Sequence, residues 1–266
     1  MKIKSKVWFT AFFAITAITV FLMTACDDSP KSGGGGGGGS GTRTGGSGDP
    51  CTTHNWGWGT YTSGSGLREC RNSGCTEKAG VGDRGPAGGV IFIARAESIT
   101  LLADSPLSDK QVHYYEAWTH NETETLQWGD RGTQISGISI GSPDGTSRIG
   151  HGLRETQRIV VNMANKEPTP ITNTAAQRAR VTGTGTTPGA RGGFSDWFLP
   201  SVDELNELCK LWDSKGRGSY ENLSTGTYWA SSQVGLSEAW AVVFSTGYRG
   251  YTYKDNTNNV RAVRAF

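Results

Sequence analysis

The sequence contains few of the residues from which metal centres and catalytic sites are built. Among its 266 residues it has four histidines and five cysteines. His54, His113, His120 and His151 lack the close, regular spacing of zinc ligands, so we expect solvated loop histidines. The residue order does not indicate a Ser/His/Asp set either. We therefore predict a protein that is not an enzyme and that carries no metal and no cofactor.

The chain also lacks an excess of charge of either sign. Its formal net charge is +2, but three of its lysines lie within the first six residues. Without those three, 23 basic residues stand against 24 acidic ones, a net charge of −1. Nucleic-acid-binding domains are usually strongly basic on one face. We therefore expect no nucleic-acid partner.

Long apolar runs are absent except at the N terminus. There the three lysines precede an uncharged run, Val7–Met23, as in an export signal. Met23–Ala25 then lead into Cys26, which resembles the lipobox of bacterial lipoproteins. We predict a signal peptide at 1–25, lipidation of Cys26 and an exported protein attached to the cell envelope, at the outer membrane or cell surface. The alternative is an uncleaved transmembrane anchor, because about 17 apolar residues approach the length of a span.

Residues 26–50 contain almost no apolar side chains. They are rich in Gly and Ser and include seven consecutive glycines, Gly33–Gly39. Such a composition cannot bury enough apolar surface to fold. We predict a flexible tether with a reach of about 25 to 30 Å.

Residues 51–80 form a small segment rich in cysteine and tryptophan. Trp56 and Trp58 are predicted to alternate on a strand-like run, with Arg68 close to a cysteine. This pattern resembles half of a thrombospondin type-1 repeat, in which arginines stack between tryptophans.

The cysteines are expected to pair in an oxidising compartment. The candidates are Cys51, Cys70 and Cys75, and a single bridge would join Cys51 to Cys70 or to Cys75. Cys209 lies among apolar residues of a predicted helix, so we expect a buried thiol there.

Hydrophobic periodicity from residue 81 to 266 predicts both helices and strands. Two helices are expected at 152–165, with Ser147 as the cap and Val161 among its apolar positions, and at 174–181. Trp128 is expected to be a buried anchor in an irregular region. Strands are predicted at 90–94, 99–103, 112–118, 228–232, 238–245 and 260–266.

The stretch 192–201 is the densest apolar motif in the chain, and it leads into a third helix. Ser201 and Glu204 have the spacing of a capping box, and Leu205, Leu208 and Trp212 share one helical face. We interpret the motif as a structural hub that holds this helix against the C-terminal strands. The predicted hub residues are Phe194, Trp197, Phe198, Leu199, Ser201, Glu204, Trp229 and Trp240.

Aromatic and polar residues alternate near the C terminus. Tyrosine and asparagine offer contact area and adaptable hydrogen bonds, which is typical of recognition surfaces. Tyr251 and Tyr253 would lie on one face of a strand. The alternative is an ordinary amphipathic strand with half-buried tyrosines. The candidate ligand-binding residues are Tyr248, Arg249, Tyr251, Tyr253, Asp255 and Asn256.

Several motifs occur in one order along the chain: GDRGPAGGVIF, YYEAW, QWG, GGFSDWFLPSVDEL, YWASS, EAWAVVF and VRAVRAF. Together they resemble the C-terminal domain family of the Legionella collagen-like protein, over residues 81–266. The resemblance implies a fold related to C-type-lectin-like and formylglycine-generating-enzyme-like domains. Such a fold is an α+β arrangement of short helices around small antiparallel sheets. The copper-dependent activity of the latter is not implied, because Cys209 stands alone on its helix.

The resemblance also implies a class of function. Members are often surface proteins, and the named one is an adhesin that binds glycosaminoglycans. We predict a surface-exposed lipoprotein whose domain binds a glycan or protein without catalysis. A variable display protein of a diversity-generating retroelement is the second interpretation, and an enzyme of unknown class is the third.

Overall fold

A computed structural model describes residues 53–138, 147–180, 191–218 and 220–266. Over these ranges it contains three α-helices and three small antiparallel sheets, so the predicted α+β class is confirmed. Cys26, the predicted tether and Cys51 lie outside the described residues. No helix among the described residues has both the length and the apolar character needed to cross a membrane.

The first sheet joins the beginning of the domain to the end of the chain. Its strands are β1 (Val90–Leu101), β2 (Lys110–Ala117) and β8 (Val263–Ala265), in the order β1-β2-β8. The two strands predicted at 90–94 and 99–103 are one strand whose register shifts between Ala94 and Ile99. The polar residues between them lie at this irregularity and face solvent, so the strand continues although the apolar pattern stops.

The other two sheets come from the C-terminal half of the domain. A three-stranded sheet has the order β4 (Thr227–Gln233), β5 (Glu238–Val243) and β6 (Tyr248–Tyr253). A two-residue strand, β3 (Leu126–Gln127), pairs with β7 (Thr257–Asn258). Because β6 has only β5 as a neighbour, it is the edge strand of its sheet.

The helices are α1 (Gly152–Ala164), α2 (Ala175–Arg180) and α3 (Val202–Ser214). Two details predicted for α1 are wrong. Its N-cap is His151 and not Ser147. Val161 is 58% exposed, whereas Ile159 and Met163 are buried.

The reason for the second error is the face that α1 buries. Glu155, Ile159 and Met163 stand four residues apart and are all buried, so an acidic residue occupies the inner face. Glu155 Oε2 accepts hydrogen bonds from the Ser231 and Ser232 hydroxyls, both at 2.8 Å. These partners come from β4, so periodicity alone could not reveal that this position is inside.

The sheet of β4, β5 and β6 lies between two hydrophobic cores. Side chains alternate along a strand, so Trp240 and Val242 of β5 enter one core while Ala239 and Ala241 enter the other. The central core includes Phe92, Tyr115, Phe198, Leu205, Leu208, Trp212, Tyr228, Trp240, Val242 and Phe244. The second core includes Trp128, Ile159, Met163, Ala176, Trp197, Leu199, Trp229, Ala241 and Val260.

The segment 53–80 packs on the first sheet. Trp58 lies in a 3-10 turn (Trp58–Thr60), so the predicted strand-like alternation with Trp56 is wrong. Gly57 has a φ of 53°, in the left-handed region, which breaks an extended run at that point. Trp58 instead presents its ring edge to Tyr114 of β2 and to Phe266, with centroids 5.5 and 5.4 Å away.

Candidate binding surface

Strand β6 carries an unusual share of the exposed aromatic surface. Tyr248, Tyr251 and Tyr253 are 65%, 58% and 42% exposed. They are three of the seven large apolar or aromatic side chains that the described residues leave exposed. Exposed aromatic residues concentrated in one element indicate a contact surface, whereas scattered ones do not.

The predicted ligand residues on β6 lie on both faces of the strand. Tyr251 is directly opposite Trp240, and Arg249 is opposite Val242. Paired residues share a face of the sheet, so Arg249, Tyr251 and Tyr253 lie on the face that carries α3. Tyr248 lies on the other face, where its ring covers Gly250 so closely that a Cβ at Gly250 would be 2.5 Å from Tyr248 Cε1.

We call Arg249, Tyr251 and Tyr253 of β6 the tyrosine face. A fourth residue, Arg131, comes from a loop and extends this face. The Arg131 guanidinium carbon lies 3.7 Å from the ring centroid of Tyr253, a cation–π contact. Leu236, 55% exposed, is at the same end, because its carbonyl accepts a hydrogen bond from Gly132 N–H at 3.2 Å. Sequence analysis missed Arg131 and Leu236, since each comes from a loop distant in sequence.

Arg249 ties the tyrosine face to α3. Its Nη1 donates to Asp203 Oδ1 at 2.7 Å, and Asp203 Oδ2 accepts from Arg148 N–H at 2.6 Å. Asp203 stands in the first turn of α3, where a carboxylate is favoured by the helix dipole. The guanidinium of Arg249 is therefore held in one place, and the Arg249 side chain is 39% exposed.

Asp255 and Asn256 follow β6 in a turn. The backbone carbonyl of Asp255 accepts from Gln127 Nε2 at 3.0 Å, and Asn256 Nδ2 donates to Thr252 Oγ1 at 2.6 Å. Thr252 belongs to the face of Tyr248 and not to the tyrosine face. The six candidate residues therefore do not converge on one point.

A buried lysine stabilises the end of β6. Lys254 Nζ donates to the Thr133 and Gly235 carbonyls at 2.7 and 2.8 Å and to Gln233 Oε1 at 3.2 Å. Burial lowers its pKa to about 8. The lysine joins three separate segments directly behind the tyrosine face, which makes this part of the surface rigid.

The capping box of α3 forms as the sequence predicts. Ser201 Oγ accepts from Glu204 N–H at 3.4 Å, and Glu204 Oε2 accepts from Ser201 N–H at 2.8 Å. Glu204 is fully buried, and burial raises its pKa to about 7 although backbone N–H groups oppose the shift. Sequence analysis could identify the box but not its burial.

The other predicted hub residues are divided between the two cores. Trp197 and Leu199 enter the second core, whereas Phe198 between them enters the central core. Phe198 exchanges two backbone hydrogen bonds with Val263 of β8, at 2.8 and 2.9 Å. Trp229 and Trp240 are buried as well, whereas Phe194 is only partly buried.

The sequence profile of the Lcl C-terminal domain matches residues 118–264. The chain belongs to this family. The match includes the hub, all three helices and strands β3 to β7. It begins just after β2, so β1 and β2, which complete the first sheet, stand before the matched range. No curated protein matches the chain.

A groove between the Lcl C-terminal domain and the loop that precedes β2 is a second candidate surface. It has a volume of about 770 Å³ and is lined by Leu107, Val161, Arg158, Lys166 and Arg180, among others. Two of its three cations are neutralised, since Arg158 pairs with Asp104 and Lys166 with Asp130. Arg249 of the tyrosine face is paired with Asp203 in the same way, so charge does not separate the two surfaces, whereas exposed aromatic rings do.

The Lcl C-terminal domain contains one Gly-x-Ser-x-Gly pattern, at residues 137–141. In hydrolases this pattern lies between a strand and a helix. Its serine, Ser139, is outside the described residues, and the residues before it, 128–138, form turns and loops. The pattern therefore provides no support for a hydrolase.

His120 is exposed in a bend, as we expected, whereas the other three histidines are buried or partly buried. His113 is 5% exposed within β2, and its Nδ1 lies 2.8 Å from the Arg95 carbonyl oxygen. His151 caps α1. His54, before the Lcl C-terminal domain, lies close to Cys70 and Cys75, and the three ligand atoms are within 4.8 Å of one another.

Proposed function

We propose that this protein is an exported lipoprotein whose Lcl C-terminal domain binds a glycan or a protein without catalysing a reaction. The observation that carries the proposal is the exposure of Tyr251 and Tyr253 on a rigid edge strand, beside two guanidinium groups. Aromatic rings at this exposure can stack on the apolar face of a sugar or cover an apolar side chain of a partner. The expected location is the outer membrane or cell surface, with Cys26 as the lipidated residue and no nucleic-acid partner.

Charge supports a ligand with an acidic group. Arg131 lies against Tyr253, and Arg249 lies on the same face of β6 as Tyr251. A carboxylate or sulfate on a sugar, or an acidic side chain of a protein, would meet Arg131 at the rim of the aromatic surface, while Arg249 would share its charge between the ligand and Asp203. Uncharged ligands would use the rings alone.

The finer part of the proposal is a C-type-lectin-like fold. Short helices around small antiparallel sheets support it. The first sheet also supports it, because β1 and β2 from the beginning of the domain pair with β8 from the end of the chain. A superposition on experimentally determined C-type-lectin-like domains tests it. Failure to align α1, α3 and the β4–β5–β6 sheet together would overturn it.

Glycan and protein arrays test the binding function. The full-length chain should bind at least one array component, and the double variant Tyr251→Ala/Tyr253→Ala should lose at least about tenfold in affinity, which is typical of an aromatic hot spot. Val161→Ser removes a comparably exposed apolar residue from α1 and should bind as the parent does. Equal binding by the double variant would exclude the tyrosine face as the site.

Membrane attachment needs its own experiment, because it does not depend on the ligand. The parent should be found with the membrane fraction, and Cys26→Ala should be found in the soluble exported fraction. A Cys26→Ala protein that still partitions with membranes would favour the uncleaved anchor.

A further inference from the structure

We propose that His54, Cys70 and Cys75 form a site for a single zinc ion, outside the Lcl C-terminal domain. Nδ1 of His54 and Sγ of Cys75 are 3.5 Å apart, and all three ligand atoms lie within 4.8 Å of one another. In tetrahedral zinc sites, bond lengths of about 2.0 to 2.3 Å place neighbouring ligand atoms about 3.5 to 3.8 Å apart. The His54–Cys75 distance already has this value, and the sulfur of Cys70 would need to move by only about 1 Å.

Backbone and side-chain hydrogen bonds bring the three ligands together from two segments of the chain. Arg71 N–H donates to the Asn55 carbonyl at 2.8 Å, and Asn72 Nδ2 donates to the Thr53 carbonyl at 2.5 Å. These bonds place His54 beside the turn between Cys70 and Cys75. The turn itself is closed by Cys75 N–H, which donates to the Asn72 carbonyl at 3.1 Å.

Packing also holds the ligands in position. The His54 ring stacks on Trp56, with centroids 4.7 Å apart and planes at 14°. Cys70 is 8% exposed in the same hydrophobic cluster as Trp56 and Ala79. Packing therefore holds the side chains of His54 and Cys70 in position. Cys75 is only partly buried, so an ion can reach the site.

The chemistry of the donor set selects the metal. Two thiolates and an imidazole favour zinc over calcium or magnesium, which prefer oxygen ligands. The spacing Cys-x4-Cys lies within the range of zinc-ligand spacings, and with His54 it gives three protein ligands, so a water would complete the tetrahedron. Binding would release the thiol protons, so affinity should fall at low pH.

A metal crosslink would stabilise the segment 53–80. Its regular structure is one 3-10 turn and an isolated bridge between Glu69 and Lys78. Small irregular segments are commonly stabilised by a metal or by disulfides. The proposal therefore competes directly with the disulfide from Cys51 to Cys70 or Cys75 that the sequence suggests.

Zinc content and cobalt spectroscopy of the purified full-length chain test the site. After chelator treatment and addition of Zn²⁺, one ion should remain per chain. Co²⁺ should give a thiolate charge-transfer band and tetrahedral visible absorption. Cys75→Ser and His54→Gln should each weaken Zn²⁺ binding by at least about tenfold, a loss that even supporting residues of metal sites can cause. Cys209→Ala removes a buried cysteine from α3 and should bind as the parent does.

Two results would overturn the site. One is a peptide map, made without reduction, in which Cys70 or Cys75 is disulfide-linked in the isolated protein. The other is Zn²⁺ affinity unchanged in His54→Gln and Cys75→Ser. Near-ultraviolet circular dichroism checks that both variants retain the domain fold. If Cys75→Ser does not fold, His54→Gln decides the question, because His54 is only partly buried.

Discussion

The guanidinium of Arg264 binds the carboxylate of Asp196 with two hydrogen bonds, from Nε at 2.7 Å and from Nη2 at 3.1 Å. Asp196 belongs to the hub motif and Arg264 to β8, so the pair joins the hub to the end of the chain. Nη1 of Arg264 also donates to Glu116 of β2 at 2.7 Å. The acid next to Trp197 therefore has a structural partner.

Arg264→Met should destabilise the domain by about 3 to 5 kcal/mol, because Glu116 is then a buried carboxylate without its cation. Asp196→Asn should cost only about 0 to 1 kcal/mol, since the Asp196 side chain is 39% exposed. Urea unfolding of both variants measures the difference. Equal losses of unfolding free energy in the two variants would mean that Glu116 is stabilised by something other than Arg264.

Trp197→Ala should reduce the free energy of unfolding by about 3 to 5 kcal/mol, as expected for a large core truncation. The ring is 1% exposed, and its Nε1 donates to the Arg191 and Phe194 carbonyls at 3.1 and 3.0 Å. Tyr248→Ala, at an exposed position, should change stability by no more than about 0.5 kcal/mol. A Trp197→Ala protein that is equally stable but no longer binds would place the binding site at the hub.

Glu204 should make the protein less stable as the pH rises. Its pKa is raised from 4.5 to about 7, so the folded state holds a proton that the unfolded chain has released between those values. The stabilising contribution is complete below about pH 4.5 and is lost as the pH rises through about 7, a change of about 3 kcal/mol.

Glu204→Gln tests this dependence. The amide does not titrate, so the variant should lose less stability than the parent between about pH 5 and about pH 8. Burial also raises the pKa of Glu116 and Glu122, and their contribution is common to both proteins. The nearby Glu155 carboxylate helps to raise the pKa of Glu204, so its own contribution changes in the variant. Identical pH profiles would show that Glu204 titrates normally.

Lys254 should have the opposite effect at alkaline pH. Its folded pKa of about 8 lies below the ordinary 10.5, so the unfolded chain binds more protons between these values and stability rises with pH there. Lys254→Met should abolish this rise. It should also cost at least about 2 kcal/mol at neutral pH, because buried acceptors at Thr133 and Gln233 lose their donor. Thermal unfolding at about pH 7 and about pH 9 provides both measurements. A Lys254→Met protein as stable as the parent at both pH values would contradict the prediction.

Part of the fold could be predicted because its signals are local. The capping box of Ser201 and Glu204 depends on a spacing of three residues, and α3 forms where that spacing indicates. The apolar run at Val90–Ile93 likewise predicted a strand. The errors arose where a distant residue decided the outcome, as for Glu155, whose inward position depends on two serines of β4.

The sequence by itself determined the α+β class, the family and the alternation of tyrosines along β6, whereas their exposure came from the structure. These follow from propensity, alternation and motifs that are read along one stretch of chain. Only the tertiary structure decided that Arg131 joins the tyrosine face, that Lys254 is buried behind it and that His54 meets Cys70 and Cys75. The first two depend on loops that become neighbours only when the domain packs, and the third depends on the fold of the segment 53–80 on the first sheet. Linear spacing contains no record of that proximity.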